Sequence, residues 1–177
     1  MNFWVALIAY EVVWFVAVIG AGHGLGWPGV LAAALFVGWR LAVSRQRAVE
    51  LRLGIVGLIV GLLLEAAWTA AGLVHYAAAW PAQAAPAWLI ALWVTFAFTI
   101  VPLFGYLHDR PWLAALFGGI GGPLAYLGAA RGWHAVTMAV PAWHTLAALA
   151  AGWAIALPLL TSLAHHWLQP TATERAA

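Results

Sequence analysis

The sequence predicts an all-α polytopic membrane protein. Six transmembrane helices form three helical hairpins (about 1–50, 51–110 and 111–170) in a single integral membrane domain, 1–177, with both termini cytoplasmic. Three observations carry this reading. Hydrophobic residues make up 66% of the chain and charged residues only 7%, whereas a soluble domain carries about a quarter charged residues. Several stretches of about 18 residues or more hold almost no charge, which is the signature of a membrane span. The arginines are also distributed unevenly among the connections between these stretches.

The first helix is expected at 3–21. Its start, "MNFWVALIAY", has no positive leading segment and is followed by Glu11 in the apolar core, so it reads as a retained helix rather than a cleaved signal. The turn "HGLGWPG" leads into a second helix at 28–44. The charged connection "SRQRAVELR" precedes a third at 51–74, and "HYAAAWPAQAAP" separates that from a fourth at 87–107. After "LHDRP" a fifth helix runs over 111–130. The longer, moderately apolar "RGWHAVTMAVP" is expected to lie in the interface before a sixth at 142–167, and "QPTATERAA" is a short polar tail.

With both termini inside, Arg40, Arg45, Arg47, Arg52, Arg110 and Arg175 fall on the cytoplasmic side and Arg131 alone falls outside. The chain is therefore expected to be a multi-pass membrane protein. Trp27, Trp80, Trp88, Trp133 and Trp143 map to the outer interface, and Trp4, Trp39, Trp112 and Trp167 to the inner one. Trp14, Trp68, Trp93 and Trp153 remain at depth, where an indole N–H needs a partner. The pI near 9.5 thus reports topology, and no nucleic-acid partner is expected. Arg45, Arg47 and Arg52 are placed to meet anionic lipid. With no cysteine, disulfides and thiolate metal sites are excluded. His23, His75, His134 and His144 map to the outer side in no metal-binding spacing, and His165-His166 to the inner head groups.

The hairpins resemble one another. "EVVW" from Glu11 to Trp14 is matched by "EAAW" from Glu65 to Trp68, each followed by a His and a Trp-Pro pair. "PAW" opens both the fourth and the sixth helix, at Pro86 and Pro141. This predicts three units of about 55 residues in the same orientation. In that register Gly119 takes the place of Glu65, and "GIGG" (119–122) stands where the other two units carry an acid and an indole.

A mid-span carboxyl costs at least about 2.5–3.5 kcal/mol on insertion scales, so Glu11 and Glu65 must face protein or a cavity. Gly54, Gly57, Gly61, Glu65, Trp68 and Gly72 fall on one helical stripe, with Gly57–Gly61 a small-residue pair for close helix approach. Glu65 is therefore expected in a helix–helix contact. No Lys or Arg lies at that depth, so at least one of the two acids is expected to be neutral and to donate a hydrogen bond. The run "FGGIGGPLAY" (117–126) admits two readings. In one, Pro123 breaks the helix and frees the carbonyl of Gly119 for such a donor. In the other, Gly118, Gly122, Ala125 and Ala129 form a second packing stripe. The candidate interior site comprises Glu11, Trp14, Glu65, Trp68, Gly119, Gly122, Pro123 and Tyr126. No catalytic residue can be assigned: no Ser/His/Asp or Cys/His grouping stands out.

The segments "YEVVWFVAVIGA", "PAWLIALWVTFAF" and "RPWLAALFGGIGGPLAYLGAARGW" resemble blocks of a family of small bacterial inner-membrane proteins, domain-of-unknown-function family 2878. The resemblance covers most of the chain, and "GGPLAY…GA" is its specific block. It implies a location in a bacterial inner membrane and an acid at the position of Glu65. It also implies a polar pair late in the fourth helix, where this chain has Val101 and Pro102 instead. Such families are often encoded near cyclopropane-fatty-acid-synthase-like genes, so the resemblance implies a link to acyl-chain modification or transport. The leading expectation is a protein that handles or modifies a lipid, acyl or other hydrophobic substrate. The alternatives are a proton-coupled small transporter using the same acids and a non-catalytic subunit of a larger membrane complex. Expected partners are membrane lipid and a further membrane protein or a second copy. No cofactor or metal is expected.

Overall fold

The computed structural model describes residues 3–81 and 85–169. Arg175, the tail beyond Gln169 and the turn residues 82–84 lie outside the described residues. The described chain forms six α-helices: α1 (Phe3–Gly22), α2 (Trp27–Val43), α3 (Arg47–Ala70), α4 (Ala87–Leu103), α5 (Pro111–Trp133) and α6 (Ala142–Leu168). Four of them, α1, α3, α5 and α6, are long and apolar enough to cross a membrane, whereas α2 and α4 have 17 residues each. The two helices opened by "PAW" start alike, with Pro86 and Pro141 as extended N-cap residues. Proline supplies no N–H, and a helix start has no use for one.

Helices α3 and α4 each end earlier than expected. Helix α3 ends at Ala70 because Gly72 turns left-handed, with φ +67°. Leu73 N–H then donates to Trp68 O at 3.0 Å and Gly72 N–H to Thr69 O at 2.9 Å, closing the helix in a Schellman turn. Gly72 is thus a terminator and not part of the stripe. Helix α4 stops at Leu103, just past Pro102, and continues as a 3-10 turn at Gly105–Leu107. The connections after α3 and α5 are not featureless. They contain β1 (Val74–Tyr76) and β2 (Val136–Met138), which pair antiparallel with His75 opposite Thr137.

The helices pack pairwise, α1 on α2, α3 on α4 and α5 on α6, with α4 central and also touching α1, α2 and α6. Glycines line the contact in two of these pairs. A methyl at Gly57 would stand 3.1 Å from the Trp93 carbonyl oxygen, and one at Gly61 2.8 Å from Trp93 Cβ. On the other pair, Gly118 lies against the Trp153 carbonyl, and a methyl at Gly122 would stand 2.8 Å from Trp153 Cβ. The two indoles stack on each other, centroids 4.2 Å apart and planes within 10°. The units α3–β1–α4 and α5–β2–α6 are therefore related by an approximate two-fold axis running between the indoles and through the strand pair.

This geometry corrects the expected repeat register. Gly57, Gly61 and Glu65 on α3 stand as Gly118, Gly122 and Tyr126 do on α5. The counterpart of Glu65 is thus Tyr126, and Gly119 takes the place of Leu58. The expected helix break at Gly119–Pro123 is also corrected, because α5 runs unbroken from Pro111 to Trp133 with Pro123 inside it and buried. Close packing on α6 holds the helix through a proline that removes one backbone donor.

At the arginine-rich end, Arg40 has a structural partner. It is buried and forms a two-pronged ion pair with the fully buried Glu50, with Nε 3.2 Å from Oε2. Ser44 adds a hydroxyl donor at 2.8 Å, so this cluster joins α2 to α3, which otherwise meet little.

Gly61→Ala and Gly122→Ala are each expected to lower thermal stability in detergent by about 1–3 kcal/mol, the usual cost of overpacking. Gly38→Ala, where a methyl inside α2 meets nothing within 4 Å, should leave the melting temperature unchanged or slightly raised. Equal melting temperatures for all three would contradict the glycine-seated packing.

Candidate functional site

Glu65 is the natural starting point, because it is fully buried and a buried carboxyl needs partners. It lies one turn beyond Gly61 on the face of α3 that α4 covers. The glycine brings α4 close enough for Trp93 Nε1 to donate to Glu65 Oε1 at 2.8 Å. The same oxygen accepts the hydroxyl of Tyr126 from α5, and Oε2 accepts the hydroxyl of Tyr76 from β1. One carboxyl thus gathers donors from three other elements.

The strand pair sets the position of Tyr76. β1 is fixed at its start by Thr145 of α6, whose hydroxyl donates to Leu73 O at 2.9 Å. It is fixed at its end by Trp88 of α4, whose Nε1 donates to Ala77 O at 3.1 Å. Val74 is buried, His75 exposed and Tyr76 half-buried, so the alternation of the strand turns the tyrosine back toward the bundle. Burial first, and the charge of Glu65 second, push the Tyr76 phenol well above its ordinary range. It therefore remains a donor at any physiological pH.

The partners of Glu65 differ from the carbonyl expected to be freed by Pro123. They are side-chain donors, and three donors on two oxygens match an acceptor. Trp68 packs beside the cluster, edge-on to Tyr126 with centroids 6.0 Å apart. Its ring lies on Gly152 of α6, where a methyl would stand 2.5 Å away.

Beside the cluster is a cavity of about 490 Å³ bounded by α1, α4, α5 and α6. Its walls are mainly aromatic and aliphatic, among them Trp93, Phe96, Trp153 and Leu157. Glu11, Trp14, Gly122 and Tyr126 also line it. Glu11 is exposed whereas Glu65 is buried, so the two acids occupy separate environments. Tyr126 connects them, because it lines the cavity and also binds Glu65. Gly119 instead faces α6, where a methyl on it would stand 3.5 Å from Ala150 O and Ala154 Cβ, and neither it nor Pro123 lines the cavity.

Helices α1 and α5 flank the cavity and meet chiefly toward the strand end. There Trp14 and Phe15 pack edge-on against Trp133, at 5.8 and 5.4 Å, and Gly22 lies against the Trp133 backbone. Farther from the strands, Glu11, Phe117, Gly121 and Leu124 line the cavity and are exposed, forming its open side.

A family model matches residues 3–159, which include the acceptor cluster and every residue named at the cavity. The chain belongs to the family described as protein of unknown function (DUF2878). No curated protein and no solved structure matches it. In this DUF2878 chain, sequence reasoning found Glu65, Trp68 and Tyr126 but not Tyr76 or the pairing of Glu65 with Trp93. Trp93 carried a signal, an indole at depth needing an acceptor. Tyr76 carried none, since it sits in an apparent turn.

Replacing Glu65 by Leu in this DUF2878 chain leaves three donors without an acceptor, and should cost on the order of 3–5 kcal/mol. Tyr76→Phe removes a single donor and should cost about 1 kcal/mol. Thermal unfolding followed by tryptophan fluorescence should show that order, and a Tyr76→Phe loss as large as that of Glu65→Leu would contradict it.

Proposed function

We propose that this chain is a six-span bacterial inner-membrane protein, with both termini cytoplasmic, that holds a lipid or other apolar molecule in the cavity between α1 and α5. The cavity itself carries this reading. Its volume lies within the roughly 300–1,000 Å³ of small-molecule sites. Its walls are apolar, and its exposed side is bordered by Phe117, Gly121 and Leu124 from a helix long enough to span. An opening between two spanning helices faces acyl chains rather than water, so a lipophilic molecule enters without crossing a polar phase. The many large apolar residues exposed on the outer faces of α1, α3 and α5, such as Ile8, Leu63 and Leu116, fit the same setting. A proton path is less well supported, because the cavity walls offer few polar groups and Glu65 is sealed among its donors.

Gly121 offers a direct test. It lines the cavity, and a methyl there meets nothing within 4 Å, so Gly121→Phe should fill the opening without straining the helix pair. Native mass spectrometry of the detergent-purified protein is expected to find a co-purified lipid in the parent chain. Occupancy should be several-fold lower in Gly121→Phe at an unchanged melting temperature. Equal occupancy in both would overturn the reading.

A further inference from the structure

The two-fold relation between the α3–α4 and α5–α6 pairs has a chemical mismatch at its centre. Trp93 and Trp153 occupy equivalent places, each seated on its glycine pair and stacked on the other. Both rings turn their Cδ1 edge toward the second glycine of the pair, Gly61 or Gly122. The neighbouring N–H is thereby directed toward the next turn of that helix. On α3 that turn supplies Glu65, and the Trp93 N–H is bonded. On α5 it supplies Tyr126, whose hydroxyl is engaged by Glu65. The indole nitrogen of Trp153 is buried and has no hydrogen-bond partner among the described residues. Thr69 Oγ1 and His108 Nε2 are also without partners, but neither residue lines the cavity, whereas Trp153 does.

An unbonded buried donor costs about 1–3 kcal/mol, so the Trp153 ring gains by turning its N–H to an acceptor supplied from the cavity it lines. A water needs two to four polar partners, whereas the lining beside Trp153 is Gly118, Gly122, Phe96 and Leu157, with the hydroxyl of Tyr126 one turn on already donating to Glu65. The charge of the acceptor is constrained as well. Glu11 lines the cavity and Glu65 lies one residue behind its wall, while no Lys or Arg lines it. A carboxylate or phosphate there would be buried without a cation to offset it, at high cost in an apolar medium.

We propose that the cavity takes an uncharged lipophilic molecule bearing a carbonyl-type oxygen, an ester or ketone on an apolar chain. That oxygen accepts the Trp153 N–H as Glu65 accepts that of Trp93. This rests on the apolar-cavity reading above and names the class of molecule it holds.

The full chain in detergent micelles can be tested with three radiolabelled probes: methyl palmitate, hexadecane and palmitate. Methyl palmitate should bind about fivefold more tightly than hexadecane, the factor equivalent to one net hydrogen bond of about 1 kcal/mol. Palmitate at neutral pH should bind more weakly than the ester. Trp153→Phe keeps a ring for the stack and removes the N–H, so it should erase the ester preference while leaving hexadecane affinity unchanged. A second readout does not depend on that variant folding. In the parent protein labelled with ¹⁵N-tryptophan, one indole N–H resonance should move downfield on adding methyl palmitate but not hexadecane. Equal binding of ester and hexadecane, with no such resonance shift, would overturn this inference and leave the apolar-cavity reading standing. Tighter binding of palmitate than of the ester would overturn the uncharged assignment. Failure of all three probes to bind would overturn both readings.

Discussion

The stack of Trp93 on Trp153, 4.2 Å between centroids, is the contact from which the rest of the bundle takes its spacing. Each indole is the largest side chain in its neighbourhood, yet each lies at a helix–helix crossing, where small residues normally sit. The conflict is resolved by placing glycine opposite. Gly57 and Gly61 accept the backbone and root of Trp93, and Gly118 and Gly122 do the same for Trp153. The helices approach closely along the glycines while the rings project past them to meet at the centre. Two helix pairs built in this way can share only one axis, and the antiparallel strand pair lies on it, His75 opposite Thr137.

Glu65 depends on that spacing. A buried carboxyl is tolerated only with donors in place, and all three of its donors are delivered by elements the indole stack positions: α4, α5 and β1. The strand is three residues long and would not persist alone. It is held because Thr145 and Trp88 bind its flanking carbonyls. The acid therefore works as a reporter of correct assembly. If the pairs were rotated or shifted by one turn, donors and carboxyl would separate, and both would be left unbonded in an apolar interior.

What could be read from the sequence divides along physical lines. Helix existence was legible, because a long uncharged run has few alternatives at this composition, and the starts at Ala87, Pro111 and Ala142 agree with the structure to the residue. The glycine stripe on α3 correctly placed Glu65 in a helix contact, since a period of 3.6 is a local property. The repeat register was not legible. In a chain so rich in alanine and tryptophan, "EVVW" and "EAAW" match in letters, yet Glu11 is exposed and Glu65 buried. The true correspondence, Gly-x3-Gly-x3-Glu with Gly-x3-Gly-x3-Tyr, is defined by what the glycines touch. The strands were missed because three residues carry too little pattern and their partner is far along the chain. Arg40 and Glu50 were missed as a pair because an arginine near a predicted helix end already had a sufficient reading as a topology signal.

The asymmetry between the two related units explains where the cavity lies. Were α5 to carry an acid at Tyr126, two carboxyls would face each other across the axis, and one would have to be neutral. A tyrosine there resolves this by donating to the single acid, which satisfies the carboxyl but leaves one of the two indoles without an acceptor. The deficit falls on the α5–α6 unit, beside the side that α1 covers only in part, through Trp14, Phe15 and Gly22 near the strand end. The unsatisfied donor and the open wall thus arise at the same place. A local two-fold correspondence, broken by Tyr126 where its counterpart is Glu65, leaves a sealed polar cluster on one side of the indole stack and an open apolar cavity on the other.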